Sequence, residues 1–438
     1  MSIDGAKRHL SAVREAWQAG DSVAVEQALA DWEMADGVTD GEYWLQRVYA
    51  DASLEQPGLS TSAKAAERLA RAASDEIALA RIAASVIDAL YSDWRPSRDA
   101  RAWLDVLRGV AFVRLVTLPL QHRLQIAVGL LAADLFGESL AAAAQVADNV
   151  SAWVEQATDV SPDVRGNALG YALEYFSGQR RWQTAEALVA QIDRLASDAG
   201  FGNVSRARIA ARRGFYFHYR RGDYLGALQQ STAAVDYARK GSATRAAREA
   251  GITVTLCHLM RGEIAEAERA LAAEEAAMPK GHLMLRANVH YERAWWHGLR
   301  RDVVSAQREL DTACRLFAEI DEHGVMSLAT PSMQAQLLLQ VGEYEAALRV
   351  YEMRTRRPDA WLVDIALIEA CAALAAADID EASEALRRGL AVAARIELRG
   401  GLWACRDELA RLFRLALDQN IETEWVRSAS AARLIQPV

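Results

Sequence analysis

The stretch Gly342-Glu-Tyr-Glu-Ala-Ala347 reads as the corner of a helix hairpin, and it recurs along the chain. Near copies are Gly222-Asp-Tyr-Leu-Gly-Ala227 and Gly262-Glu-Ile-Ala-Glu-Ala267. Weaker ones are Arg301-Asp-Val-Val-Ser-Ala306, Ala377-Asp-Ile-Asp-Glu-Ala382 and Arg180-Arg-Trp-Gln-Thr-Ala185, and a diverged copy, Gly20-Asp-Ser-Val-Ala-Val25, stands near the start. Glycine ends a helix because it tolerates a left-handed backbone. The acid after it suits the positive N-terminus of the next helix. The small alanine lets the two helices approach closely. Ala347-Leu-Arg-Val-Tyr351 then carries apolar residues at helical spacing.

The corners recur every 35 to 42 residues, longer than the about 34 of a tetratricopeptide repeat, whose signature they resemble. Ala294, Ala335 and Ala370 stand seven positions before a corner, where such repeats want a small residue. One hairpin cannot bury its apolar face, so the hairpins must stack. The predicted fold is all-α: an α-α superhelix of stacked helix hairpins with a period near 40. A diverged helical part is expected over residues 1–160, regular repeats over 161–400 and capping helices over 401–438. Breaks near Gln56-Pro-Gly-Leu-Ser60, Trp94-Arg-Pro-Ser97 and Val160-Ser-Pro-Asp163 interrupt the first part, which is expected to continue the same array.

Composition agrees with helices. About half of the 438 residues are hydrophobic and only eight are proline. A formal net charge of −9 opposes general attraction to nucleic acid or an anionic membrane, so neither is an expected partner. The cysteines, Cys257, Cys314, Cys371 and Cys405, form no CxxC pair, which argues for reduced thiols. The N-terminal residues lack a basic-then-apolar signal pattern, and the apolar run Leu124–Leu135 is too short to span a bilayer. The expected compartment is the cytoplasm.

No phosphate loop, GxSxG, GxGxxG or Cys/His pattern at a catalytic spacing occurs, so no cofactor and no catalytic residue is expected. His218, His258 and His297 each stand four residues before a corner. Adjacent helices pack about 8–10 Å apart, too far for three such side chains to share a metal. They read as packing residues of one repeated slot. His290 and His297 could share a helix face but have no third ligand, and no metal site is expected.

The unusual segment is Arg206-Ala-Arg-Ile-Ala-Ala-Arg-Arg-Gly-Phe-Tyr-Phe-His-Tyr-Arg-Arg221, with six arginines and no acid. Arg208, Arg212, Tyr216 and Tyr219 share one helical stripe. Mapping from the corners places this stripe on a concave groove, with Asn288, Tyr291 and Trp295 two repeats on and Asn167 and Glu174 from the preceding pair. Arginines beside aromatic rings would hold an anionic, partly apolar small molecule or an acidic peptide. The same pattern also fits arginines paired with Glu and Asp of neighbouring helices.

Three stretches carry a resemblance: Asp88-Ala-Leu-Tyr-Ser-Asp-Trp-Arg-Pro96 with the following Trp103-Leu-Asp-Val-Leu107, the long-period repeats from Asn167 to Glu268, and an ending from Leu415 through Trp425-Val-Arg427 to Pro437. Together they resemble the superhelical repeat region of large ATP-dependent transcriptional activators, the LuxR-type, maltose-activator-like and antibiotic-regulator-like proteins. The resemblance implies a region that receives an inducer or a protein partner; no helix-turn-helix and no ATPase motif accompany it. The expected function is a non-catalytic ligand- or partner-binding sensor of a transcriptional regulator. A general protein-interaction scaffold holding a peptide is the alternative. An enzyme on a helical array is a third reading, with Glu174, His218 and Glu292 as the groups to test.

Overall fold

In every copy of the recurring corner the first residue is left-handed. Its φ is 64° at Gly20, 60° at Gly222, 72° at Gly262 and 82° at Gly342. The slot keeps that conformation where glycine is absent: φ is 57° at Arg180, 58° at Arg301 and 60° at Ala377. The weak copies are therefore structural copies. Where the residue that follows is aspartate, it caps the next helix. Asp21 accepts from the Val23 and Ala24 amides, both at 3.0 Å, Asp302 from Ser305 at 3.1 Å, and Asp378 from Glu381 at 2.9 Å.

The computed structural model describes residues 3–35, 41–95, 97–138, 140–197, 200–218, 222–320, 325–352, 359–398 and 405–437. These residues form helices and no strand. The order is α1 (Ile3–Gln18), α2 (Ser22–Met34), α3 (Gly41–Ser53), α4 (Leu59–Ala72), α5 (Glu76–Ser92), α6 (Ser97–Arg108), α7 (Phe112–Leu115), α8 (Leu120–Leu135), α9 (Ala143–Gln156), α10 (Pro162–Gly178), α11 (Trp182–Ala196) and α12 (Asn203–Tyr216). It continues with α13 (Tyr224–Gly241), α14 (Thr244–Arg261), α15 (Ile264–Ala277), α16 (Leu283–Leu299), α17 (Val303–Ile320), α18 (Val325–Gln340), α19 (Tyr344–Glu352), α20 (Asp359–Ala375), α21 (Ile379–Arg395), α22 (Arg406–Asp418) and α23 (Thr423–Ala432).

Contacts group the chain into two compact units, Met1–Arg213 with Ala233–Ala250, and Gly214–Thr232 with Gly251–Val438. These limits differ from the boundaries at 160 and 400 read from the sequence. In the first unit α1 packs on α2, α3 on α4, α5 on α8 and α10 on α11. Val48, Ala63, Ala66, Ile82 and Val86 join α3, α4 and α5 in one core. In the second unit α16 packs on α17, α18 on α19 and α20 on α21. A core from Ala335 to Ile435, holding Tyr351, Trp361, Phe413 and Trp425, extends under α22 and α23, so the last helices cap this stack.

The alanines explain how closely the hairpins pack. Ala185, Ala227, Ala267, Ala306, Ala347 and Ala382, one in each regular corner, are fully buried, as are Ala294, Ala335 and Ala370 on the helices before. A larger side chain there would push the helices apart, and overpacking of this kind costs about 1–3 kcal/mol. No helix among the described residues is long and apolar enough to cross a membrane.

Candidate functional site

The arginine stripe of α12 begins in the first unit, where it meets a cluster of acids. Asp88 on α5 is buried and takes four partners. The Arg208 guanidinium bonds its Oδ1, the Tyr171 hydroxyl donates to Oδ1 at 2.6 Å, Asn167 Nδ2 donates to Oδ2 at 3.2 Å, and Arg212 lies 3.9 Å from Oδ1. Arg208 also reaches Ser92 Oγ at 3.1 Å. One turn on, Arg212 Nη1 donates to Asn167 Oδ1 at 2.7 Å, while its Nε pairs with Glu174 Oε1 at 2.9 Å. Tyr91 donates to the other Glu174 oxygen at 3.0 Å. The Arg212 guanidinium lies 3.7 Å from the centre of the Tyr171 ring. Gly170 makes this possible: a Cβ there would stand 3.0 Å from both Arg212 Cδ and Ile209 Cδ1.

Electrostatics divides these acids into two kinds. Burial pushes the Asp88 carboxyl up, but Arg208 and Arg212 outweigh it and hold it below the usual range. Burial raises Glu174, with Arg212 offsetting only part of the effect. Burial, then the neighbouring Glu174 carboxylate, pushes Glu249 up to about 7. Burial thus favours proton uptake by the Glu174–Glu249 pair, and a shared proton brings the cluster closer to charge balance. The spaces beside the cluster, one lined by Tyr49, Asp163, Asn167 and Arg208, the other by Tyr49, Asp88 and Gln125, measure about 10 Å³ each. That is room for about one water.

Asn167, Glu174, Arg208 and Arg212 are thus brought together, and of the two arrangements open to these arginines the pairing with internal carboxylates is the one formed. They are buried and their guanidiniums face protein groups. Tyr216, Asn288, Tyr291 and Trp295 lie in the second unit and are buried there. Asn288 donates to Glu292 at 3.0 Å, and the Tyr291 and Trp295 rings pack 5.9 Å apart. Tyr219 lies outside the described residues. Asp88, Tyr171 and Gly170 were not among the site residues that the sequence suggested, although Asp88 begins one of the stretches that carry the resemblance. A signal existed in α5, where Arg81 and Asp88 are the only charges after Glu76 in an otherwise apolar helix.

In the second unit the repeated histidine slot has a common geometry. His258 Nδ1 lies 2.7 Å from Glu263 and His297 Nδ1 lies 3.2 Å from Asp302, each the acid of its own corner. His218 meets Cys257 Sγ at 3.3 Å instead, and burial lowers its pKa to about 3, so its ring is neutral. Glu292 is fully buried against Glu274. Burial pushes Glu274 up to about 7 although Thr255 donates to it, and Glu292 rises well above the usual range, first through burial and then through Glu274. No group of three or more metal-binding side chains occurs among the described residues.

The open space in this unit lies along the corners. A cleft of about 300 Å³ is lined by Arg301, Leu339, Gln340, Tyr344, Leu374 and Arg411, among others. A second, of about 230 Å³, shares Arg301, Gln340 and Glu408 with it and continues past Gly262, Cys405 and Arg406. Arg301 is fixed between Asp407 at 2.7 Å and Glu408 at 3.1 Å. Gln340 Nε2 donates to the Gly298 carbonyl at 3.1 Å. Arg301 and Glu408 lie 107 positions apart, and sequence reasoning gave Arg301 only its role in the corner.

The chain matches no model of a protein family and no curated protein.

Proposed function

We propose that this chain is a non-catalytic binding module, the cytoplasmic sensor of a transcriptional regulator, which receives its ligand along the corners of the second unit. The observation that supports this reading is the pair of adjoining clefts of about 300 and 230 Å³ walled in common by Arg301, Gln340 and Glu408. The larger one meets the lower limit of small-molecule sites, roughly 300 Å³. Their walls carry three guanidiniums against two carboxylates, with an amide and aliphatic side chains beside them, and the guanidiniums are suited to holding an anion with an apolar body. The acids and the histidine of the enzyme reading, Glu174, Glu292 and His218, are buried against other protein groups. A bound ligand would act by shifting populations between conformations of the array.

The test is the melting temperature of the purified chain against anionic metabolites, nucleotides and acyl conjugates. A ligand at a hundred times its dissociation constant stabilises the fold by about 2.7 kcal/mol. At least one such shift is expected, and a flat panel from folded protein overturns the small-molecule reading. Deleting the gene should then abolish the transcriptional response to that ligand; an unchanged response would overturn the regulatory role, which rests on the sequence resemblance.

One observation favours the scaffold reading instead. Leu225, Val304 and Val341, each at a corner of the second unit, are 64%, 74% and 55% exposed. Exposed apolar side chains beside three corners, Leu225 and Val304 in the same slot and Val341 just before its corner, suit a protein partner, and a flat ligand panel would leave that reading in front.

A further inference from the structure

We infer that the larger cleft of the second unit is the binding site for a small organic carboxylate, held by Arg411 and Arg301 with its apolar body on Leu339, Leu374 and Ala375. The inference deepens the binding-module reading and rests on it.

Charge is the first argument. Three guanidiniums, Arg301, Arg406 and Arg411, line the two joined clefts against two carboxylates, Asp407 and Glu408. Arg406 gives its Nη1 and Nη2 to the carbonyls of Arg433 and Leu434, both at 2.7 Å, and makes no ion pair among the described residues. One positive charge is thus left over in a chain whose formal net charge is −9. Arg406 lines only the smaller cleft, but the larger one by itself shows two guanidiniums, Arg301 and Arg411, against one carboxylate, Glu408, and a local positive excess inside an acidic molecule selects an anion there.

The second argument is which donors are open. Arg301 gives its Nε and Nη2 to Asp407 and Glu408, which leaves Nη1 to a ligand. Arg411 reaches Glu408 only at 3.7 Å, and its side chain is 62% exposed. A guanidinium has five N–H donors in a planar fork that matches a carboxylate edge to edge, so Arg411 has a face to offer. Glu408 sits between the two arginines with 8% side-chain exposure, which fixes the spacing of the cationic wall.

The third argument is the rest of the lining. Leu339, Leu374, Ala375, Cys371 and the Tyr344 ring complete the cleft, and burial pushes the Cys371 thiol up to about 12, so that group is neutral. An inorganic anion would leave this surface wet. A short acid with an aliphatic or aromatic body covers it and fits about 300 Å³.

The experiment is calorimetric titration of the full chain with octanoate and with phenylacetate, beside octanamide and phenylacetamide, on the wild type, Arg411→Ala and Ala375→Trp. Arg411 and Ala375 are exposed, so both variants should keep the wild-type circular dichroism and melting curve. At least one acid is expected to bind saturably and its amide not to bind. Arg411→Ala should weaken the acid roughly ten-fold or more, the scale of a charge-assisted bond, and Ala375→Trp should abolish binding by filling the cleft. Absence of acid binding, equal binding of the amide, or wild-type affinity in either variant overturns the assignment. A melting-panel ligand other than a short acid, found alongside a flat titration, overturns only this inference and leaves the binding module standing.

Discussion

Arg212 Nε lies 2.9 Å from Glu174 Oε1, and both side chains are buried, with 2% and 8% exposure. The arginine with the least exposure in a basic stripe is therefore a structural cation. It offsets part of the burial penalty on the Glu174 carboxyl. Arg212→Ala should leave Glu174 and Asn167 without this partner and destabilise the chain by about 3–5 kcal/mol, the scale for breaking a buried pair. Chemical denaturation of the variant measures it. A loss under about 1 kcal/mol would show that the pair contributes no more than a surface bridge.

Asp88 allows a sharper test because Arg208 pairs with it directly. Asp88→Ala alone should cost about 3–5 kcal/mol, whereas Asp88→Leu with Arg208→Met should recover much of that loss, since apolar residues of similar volume often replace buried pairs without penalty. Equal loss in the single and double variants would mean that Asp88 acts mainly through Tyr171 and Asn167.

The two acid pairs set the pH response. In Glu274–Glu292 and Glu174–Glu249 the folded chain holds protons that the unfolded chain releases, since their pKa values are raised by burial. A raised carboxyl contributes stability that is complete below its unfolded value, 4.5, and is lost as pH rises through the folded value, about 7 for Glu249 and Glu274. These groups therefore make the melting temperature fall from pH 5 to pH 8, and Glu292→Gln should flatten that slope. An identical slope in the variant would assign the pH dependence elsewhere. Asp88, held low, acts in the opposite sense and favours unfolding only at acid pH.

The corner slot predicts opposite effects for two small changes. Gly342 has a φ of 82°, and nothing lies within 4 Å of an added Cβ, so Gly342→Ala should cost about 1 kcal/mol through backbone strain alone. Ala377, with a φ of 60°, already bears that strain, and Ala377→Gly should gain roughly 0.5 kcal/mol or more. Paired melting curves decide both signs.

The legible part of the molecule was its repeat. A left-handed corner, an acid that caps the next helix and an alanine at the helix contact each follow from interactions within about ten residues, so their trace lies in adjacent letters. That local logic reached even Arg180 and Ala377, where the glycine is gone. Helical spacing also placed Arg208 and Arg212 on one stripe, and the helix-forming composition agrees with described residues that form helices and no strand.

What faces that stripe was decided only in three dimensions. Asp88 lies 120 residues from Arg208, and no periodicity joins them; the bond exists because α5, α10 and α12 converge in the first unit and Gly170 leaves room for Arg212. The clefts of the second unit arise in the same way, from Arg301 in a corner, Gln340 at the end of α18 and Glu408 on α22. A chain records the turns it makes with its neighbours in sequence, because those are set by backbone strain and short-range hydrogen bonds. Whether a charged side chain ends in a groove or against a buried carboxylate depends on desolvation and distant partners, which only the packed helices supply.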